Sequence, residues 1–345
     1  MIWVALSCSS PVPDGVDSAA IPGSIVVATV ASDYATGALA VVDPLTLEVM
    51  DSVASTSGDP ALDAWDGVLY EINRFTYDAV QVFREPSLSV PSVEFSTGEG
   101  SNPQGVVACP DRLWVPLYEV AEIGVFEPLS GQKIATVALD TWADADGSPE
   151  AAAGVRMGDF VVVPMQRLDR TLGWIPADDG RVIAWPCTGG DPVADVIVGP
   201  NPQVATLPGN DRLVGVVTAT EQGGVFELDP LTGDLALRLH AAGAGGEAYR
   251  AAWDRDGSVV VLGHDADWHW QITCVSPTGS ASVGWTGDAF LSAVETDDVG
   301  GAWVTARPGF TDTVEAGGLL RFDVATCSAD PALILDLPPF DVALR

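Results

Sequence analysis

Basic residues are scarce in this sequence: Lys133 is its single lysine, and 15 lysines and arginines face 48 aspartates and glutamates, a formal charge of −33. Such a surface repels phosphate backbones and anionic headgroups, which excludes nucleic acid as a partner and leaves a membrane accessible only through a lipid anchor. Long apolar runs are missing too. No stretch reaches the roughly 18 residues that a bilayer-crossing helix needs, and no long amphipathic helical pattern occurs. The five cysteines form no CxxC pair and no zinc spacing. Nucleophile elbow, HExxH, phosphate loop and dinucleotide fingerprint are all absent. Of only three histidines, His240 falls in an expected outer strand, which argues against a hydrolytic triad.

Glycine (36) and proline (25), by contrast, are plentiful and spread along the whole chain, as many short strands joined by tight turns require. A hydrophobic content of 47% is enough for a sizeable core. Two series of segments recur at a period near 45 residues. In the first, a polar or proline-containing lead precedes a short strand, as at Asp59-Pro60, Asn102-Pro103, Pro149-Glu150, Asn201-Pro202, Glu247-Ala248 and Phe290-Leu291. The second is a hairpin whose turn carries an acid, proline, threonine and glycine. Val42-Asp43-Pro44-Leu45-Thr46, Phe126-Glu127-Pro128-Leu129-Ser130-Gly131, Leu228-Asp229-Pro230-Leu231-Thr232-Gly233 and Val275-Ser276-Pro277-Thr278-Gly279 are its clearest copies. Degenerate copies begin at Phe83, Trp185 and Phe322, making seven. A further strand lies between each lead and its hairpin.

Four strands per period define a seven-bladed, all-β propeller built of four-stranded antiparallel blades. The first hairpin, with Ile25-Val26-Val27-Ala28 ahead of it, lacks an inner strand, and the chain ends on an unpartnered Pro339 to Arg345. This C-terminal segment is expected to complete blade one and close the ring, removing exposed sheet edges. The hairpin wording resembles the YVTN-type propellers of bacterial and archaeal cell surfaces over residues 24 to 345. That resemblance implies the fold and a cell-surface setting, and it carries no catalytic residues.

Residues 1–22 read as the remnant of a signal with a tether, and 23–345 as one propeller domain. Met1 to Leu6 is a brief apolar run that ends at Ser7 and Cys8, similar to the tail of a bacterial lipoprotein signal with Cys8 as the acylated residue; a basic start is missing and Leu6 sits one place too near the cysteine. Export, as a periplasmic or cell-surface lipoprotein, is the expectation. Cys109, Cys187, Cys274 and Cys327 admit three pairings, and an oxidising compartment permits one or two bridges as readily as isolated buried thiols.

In such a ring, the loops between blades and those joining second to third strands share one mouth of the central channel. Blade four departs most from the pattern there, with Asp144, Asp146, Gly147 and Glu150 in its approach loop and Gln166, Arg167, Asp169 and Arg170 in its next loop on the same face. Asp144 and Asp146, with Glu150, suit a hard cation such as calcium; the same residues equally suit an Asp-rich turn that caps backbone amides and pairs with Arg167 or Arg170. His264, Asp267 and His269 in blade six form a weaker metal candidate, since an odd separation puts the two histidines on opposite faces of a strand. Arg74, Arg167, Arg170 and Arg307, if they converge, make a local positive ring able to hold a carboxylate or sugar acid. Asp33, Tyr34, Tyr118, Glu119, Thr220, Glu221 and Asp312 are further residues of that face. The expected role is a monomeric, extracytoplasmic binding or scaffold module for a protein or glycan; the competing one is a propeller lactonase- or lyase-like enzyme with a metal or polar site at the channel mouth.

Overall fold

The computed structural model describes residues 23–84, 88–206, 213–217, 223–297, 299–308 and 318–345. These form seven four-stranded antiparallel sheets and one two-stranded hairpin. Blade 1 takes Pro339–Leu344 as its innermost strand, followed outward by Ile25–Val30, Gly37–Val42 and Val49–Thr56. Ile25 pairs with Leu344, so the C-terminal strand closes the ring as the repeat predicts. In blades 2 to 7 the chain builds each sheet from the inside outward, and the innermost strands are Pro60–Trp65, Val107–Cys109, Val155–Met157, Pro202–Thr206, Glu247–Trp253 and Phe290–Thr296.

Second strands are covered by neighbouring strands at both edges and by neighbouring blades on both faces, and they read accordingly. Ile25–Val30 and Gly301–Arg307 are buried throughout. Side chains alternate between the two interfaces: Leu69 packs with Val26 and Leu39 of blade 1, while Tyr70 and Ile72 pack with Val106, Leu113 and Val115 of blade 3. Outer strands such as Lys133–Ala138 are mostly exposed.

The recurring hairpin has a simple cause. Asp43 accepts the amides of Leu45 and Thr46 through one carboxylate oxygen, Asp229 does so for Leu231 and Thr232, and Glu127 for Leu129 and Ser130. The turn then ends on a left-handed residue, which is why Gly131 and Gly233 stand there.

Blades 3 and 4 have short innermost strands because Pro116 and Pro164 occupy their second strands and cannot donate to the ladder. The segment beginning at Pro149 therefore runs as a single bridge, Ala151 to Met165, before regular pairing starts at Val155. Just ahead of these strands, Asn102, Glu150 and Asn201 repeat a left-handed conformation. Asparagine tolerates it, whereas Glu150 holds it at a cost of about 1–2 kcal/mol.

Two disulfides resolve the cysteine question: Cys109 pairs with Cys187 and Cys274 with Cys327. Each joins adjacent blades, 3 to 4 and 6 to 7, on the face opposite the mouth. Sequence separations of 78 and 53 residues make each a restraint on the unfolded chain worth about 2–4 kcal/mol. No helix among the described residues is long and apolar enough to cross a membrane.

Candidate functional site: the channel mouth

The innermost strands enclose a cavity of about 400 Å³ along the ring axis, whose wall includes all seven blades. Small residues such as Ala61, Ala152, Ala205 and Ala293 make up much of it, so the few polar side chains stand out. Asp341 accepts the amides of Leu62 (2.8 Å) in blade 2 and of its own neighbour Val342 (2.9 Å), and Asp63 accepts that of Val106 (2.6 Å) in blade 3. Glu295 lies on the same wall. Burial raises the pKa of all three, Glu295 to about 7, and repulsion from Asp341 adds to the shift at Asp63 and Glu295. Arg250 and Arg74 also line the cavity and oppose the shift at Asp341.

At the blade 4 side of the mouth, the two sequence-singled loops meet. Glu150, whose side chain is fully buried, accepts Leu168 N (2.9 Å) on one oxygen and Arg170 Nε and Nη2 (3.1 and 3.0 Å) on the other. Burial pushes its carboxyl up to about 7, against the pull of that amide and guanidinium. Arg170 also pairs with Glu119 and donates to Tyr118 O (3.1 Å), and its amide reaches Asp146 (3.0 Å). Asp146 accepts Ser148 N, Asp144 accepts Asp146 N, and Asp169 caps the turn at Thr171. Asp144, Asp146 and Glu150 thus face backbone amides and Arg170, and among the described residues no three metal-ligating side chains come together.

The arginine ring does not assemble as a whole. Arg167 turns to Asp179, and Arg170 is committed to the acidic cluster. Arg74 pairs with Asp59, and its guanidinium carbon lies 5.8 Å from the centre of the Phe340 ring, a wall residue of the cavity. Arg307 comes to 4.8 Å of the same ring and 4.9 Å of Tyr34. Gln166 lines the cavity and accepts the Tyr118 hydroxyl (2.9 Å).

In blade 6, His264 is buried, stacks 4.3 Å from Trp268 and 4.8 Å from Trp270, and contacts Asp265 O (2.9 Å) through Nδ1. His269 is exposed and pairs with the Asp265 carboxylate, whose other oxygen accepts the Asp267 amide. The two histidines go separate ways. Cys8, Thr220, Glu221 and Asp312 lie outside the described residues.

A further feature of this face is aromatic, and of its residues the sequence pointed only to Tyr34. Tyr34 (44% exposed), Trp174 (48%) and Trp268 (60%) project from loops of blades 1, 4 and 6 on the mouth face, joined in blade 2 by Phe75 and Tyr77. Tyr34, Trp174 and Trp268 all have φ near +60°. Trp174 lies over Tyr118, ring centres 6.3 Å apart, with Arg170 5.2 Å beneath it. An isolated aromatic inside an otherwise polar turn was the available signal.

No protein-family model matches the sequence, and no curated protein does. Solved structures do match. The periplasmic gluconolactonase of Pseudomonas aeruginosa superposes with a TM-score of 0.67 at 16% identity, covering 93% of this chain and 98% of its own. A putative 6-phosphogluconolactonase from Bacteroides fragilis gives 0.63 at 14%, covering 96% and 99%. The dihydro-heme d1 dehydrogenase NirN gives 0.57 at 15%, covering 97% of this chain and 76% of its own. At these identities the likeness is one of architecture, and with seven four-stranded sheets and the terminal closure it makes this chain a β-propeller.

Proposed function

We propose that this protein is an extracytoplasmic binding propeller that presents its loop face to an uncharged glycan. The observation that carries the proposal is the set of exposed aromatic rings on that face, three of them held in left-handed backbone. Such conformations cost about 1–2 kcal/mol each, and rings that stay 44–60% exposed recover only part of it through one-sided contacts such as those of Trp174 with Tyr118 and of Trp268 with His264. Aromatic rings separated by polar loops suit the apolar faces of successive sugars better than they suit a protein hot spot, which needs one contiguous dry centre. The net charge of −33 disfavours polyanionic glycans.

Two interblade disulfides favour an oxidising compartment and so support export, and the YVTN-like hairpins are consistent with a cell-surface setting. A tether through acylated Cys8 belongs to the same proposal; detergent partitioning of the mature protein into the aqueous phase would remove it.

Retardation in gels containing soluble β-glucan is the direct test. The protein is expected to be retarded, and Trp174→Ala and Trp268→Ala are each expected to weaken binding at least tenfold without changing the unfolding midpoint by more than a few degrees. Equal mobility with and without glucan overturns the proposal.

A second reading rests on the raised carboxylates of the channel: Glu295, pushed up to about 7, supplies a proton donor near neutrality beside Asp63 and Asp341, as a lactonase-like enzyme would use. Hydrolysis of a sugar lactone, abolished in Glu295→Gln, would favour it over the binding role.

A further inference from the structure

We infer that the central channel, below the loop face, is a binding site for a small zwitterion of the free α-amino acid type, with its carboxylate on Arg250, its ammonium on Glu295 and an apolar side chain against blades 3 to 5. The channel is two-sided. Four consecutive blades put charge on its wall: Arg250 from blade 6, Glu295 from blade 7, Asp341 from blade 1 and Asp63 from blade 2. Blades 3, 4 and 5 face them with small apolar side chains, among them Ala108, Ala153 and Val204. Among the described residues, polar groups on that side stand only at its ends: Gln104 and Gln166 toward the mouth, and at the foot Arg156, held by Gly158 O, Ala108 O and the Trp65 ring. The two arcs meet at Gly105, where a side-chain carbon would lie 3.0 Å from Asp63 Oδ2 and 3.4 Å from Ala153 Cβ.

Two of the four charges are left for a ligand. Asp63 and Asp341 are committed to the amides of Val106, Leu62 and Val342. Among the described residues, Arg250 and Glu295 make no side-chain hydrogen bond and no ion pair, even with each other; Arg250 only rests on the Tyr249 ring, 5.2 Å from its centre. Neither is sealed in. Both are partly exposed on the channel wall, and none of their charged atoms is buried without a partner. The charges nevertheless act on one another: beyond burial and its two amides, Asp341 is drawn down by Arg74 and Arg250, and it raises Glu295 and Asp63 in turn.

This charge pattern selects the ligand. A lone cation would leave Arg250 unanswered and meet its repulsion, and a lone anion would face three carboxylates. A zwitterion answers Arg250 and Glu295 together through charge-assisted hydrogen bonds. Alanine-sized residues across the channel leave a hollow that an apolar side chain can fill, and about 400 Å³ limits the ligand to a small molecule. The site lies below the aromatic loop tips and stands whether or not a glycan binds them.

Calorimetric titration of the disulfide-intact protein at pH 8, above the value of about 7 to which Glu295 is raised, tests the inference with leucine, glycine, 3-methylbutylamine and 4-methylpentanoate. Leucine is expected to bind about tenfold more tightly than the amine or the acid, each of which lacks one of its charges, and than glycine, which lacks its side chain. Arg250→Gln should weaken leucine about tenfold and leave the amine unchanged or tighter, whereas Glu295→Gln should weaken leucine and the amine alike. Opposite responses of two ligands in one variant cannot come from lost structure, and both variants should unfold within a few degrees of the wild type. Absence of leucine binding to the wild type, an amine that binds as tightly as leucine, or an Arg250→Gln protein that binds leucine as the wild type does overturns the site.

Discussion

Replacing Glu71 with glutamine is expected to make the protein more stable relative to the wild type as pH rises, by on the order of 3–5 kcal/mol between pH 5 and pH 8. Glu71 lies in the second strand of blade 2, is fully buried, and neither carboxylate oxygen makes a hydrogen bond of good geometry, the Asn73 side chain being near enough only to moderate its charge. By strand alternation it faces blade 1 with Leu69. Burial pushes its pKa up to about 8, with the Asn73 side chain pulling down and Glu94 pushing further up. Its ordinary value is 4.5. Between those limits the folded protein holds a proton that the unfolded chain releases. The stability linked to this proton is therefore complete below about pH 4.5, declines as pH rises, and is gone above about pH 8. Glutamine keeps the shape and cannot ionise. Urea unfolding of both proteins at pH 5, 6, 7 and 8 reads the effect, and a difference between them that stays constant across the series would refute it. Glu295 and Glu150, both raised to about 7, contribute a slope of the same sign in both proteins, so the comparison isolates Glu71.

Glu71 also marks where the sequence stops being legible. Blade count, strand order and ring closure could be read because each depends on local chemistry repeated seven times: an acid capping its own turn, a left-handed glycine, an apolar run of strand length. The site depends on contacts made once, between residues far apart in sequence. Arg307 meets Phe340 and Tyr34 only because the ring closes, and Arg74 meets Phe340 for the same reason. Arg167 and Arg170 are neighbours in sequence yet serve different carboxylates, Asp179 for one and Glu119 with Glu150 for the other. Still, one clue was present. Second strands are covered on every side, so an ionisable residue within one must be either paired or functional; Glu71, His264 and Arg307 are such residues. The channel carboxylates were hidden for the opposite reason, since an innermost strand alternates between a blade interface and the channel, and Asp63, Glu295 and Asp341 look like ordinary polar positions.

The second large effect is expected at Arg170. Arg170→Met should destabilise the protein by on the order of 3 kcal/mol at neutral pH, because it strands the buried Glu150 carboxylate and unpairs Glu119 and Tyr118 O together. Methionine fills much of the same volume over Trp174, so the loss is electrostatic rather than one of packing. Glu150 then has only the Leu168 amide to hold its charge, and it should take up a proton over a wider pH range. The destabilisation should accordingly be smallest below pH 5, where the stranded group is neutral, and grow with pH. Adding Glu150→Gln to Arg170→Met should recover at least half of the loss, and Glu150→Gln alone should cost less than Arg170→Met alone. A double-mutant cycle in urea at pH 5 and pH 8 measures both the coupling and its pH dependence. The same arginine anchors the hairpin of Leu168–Asp169 and Ile175–Pro176 against blade 3, and that hairpin carries Trp174. Hydrogen exchange across residues 168–176 should therefore accelerate in Arg170→Met while the exchange of Phe160–Met165 stays slow. An additive cycle, or exchange that speeds up evenly through blade 4, would mean that Arg170 supports the whole blade and does not act as a local clamp on the mouth.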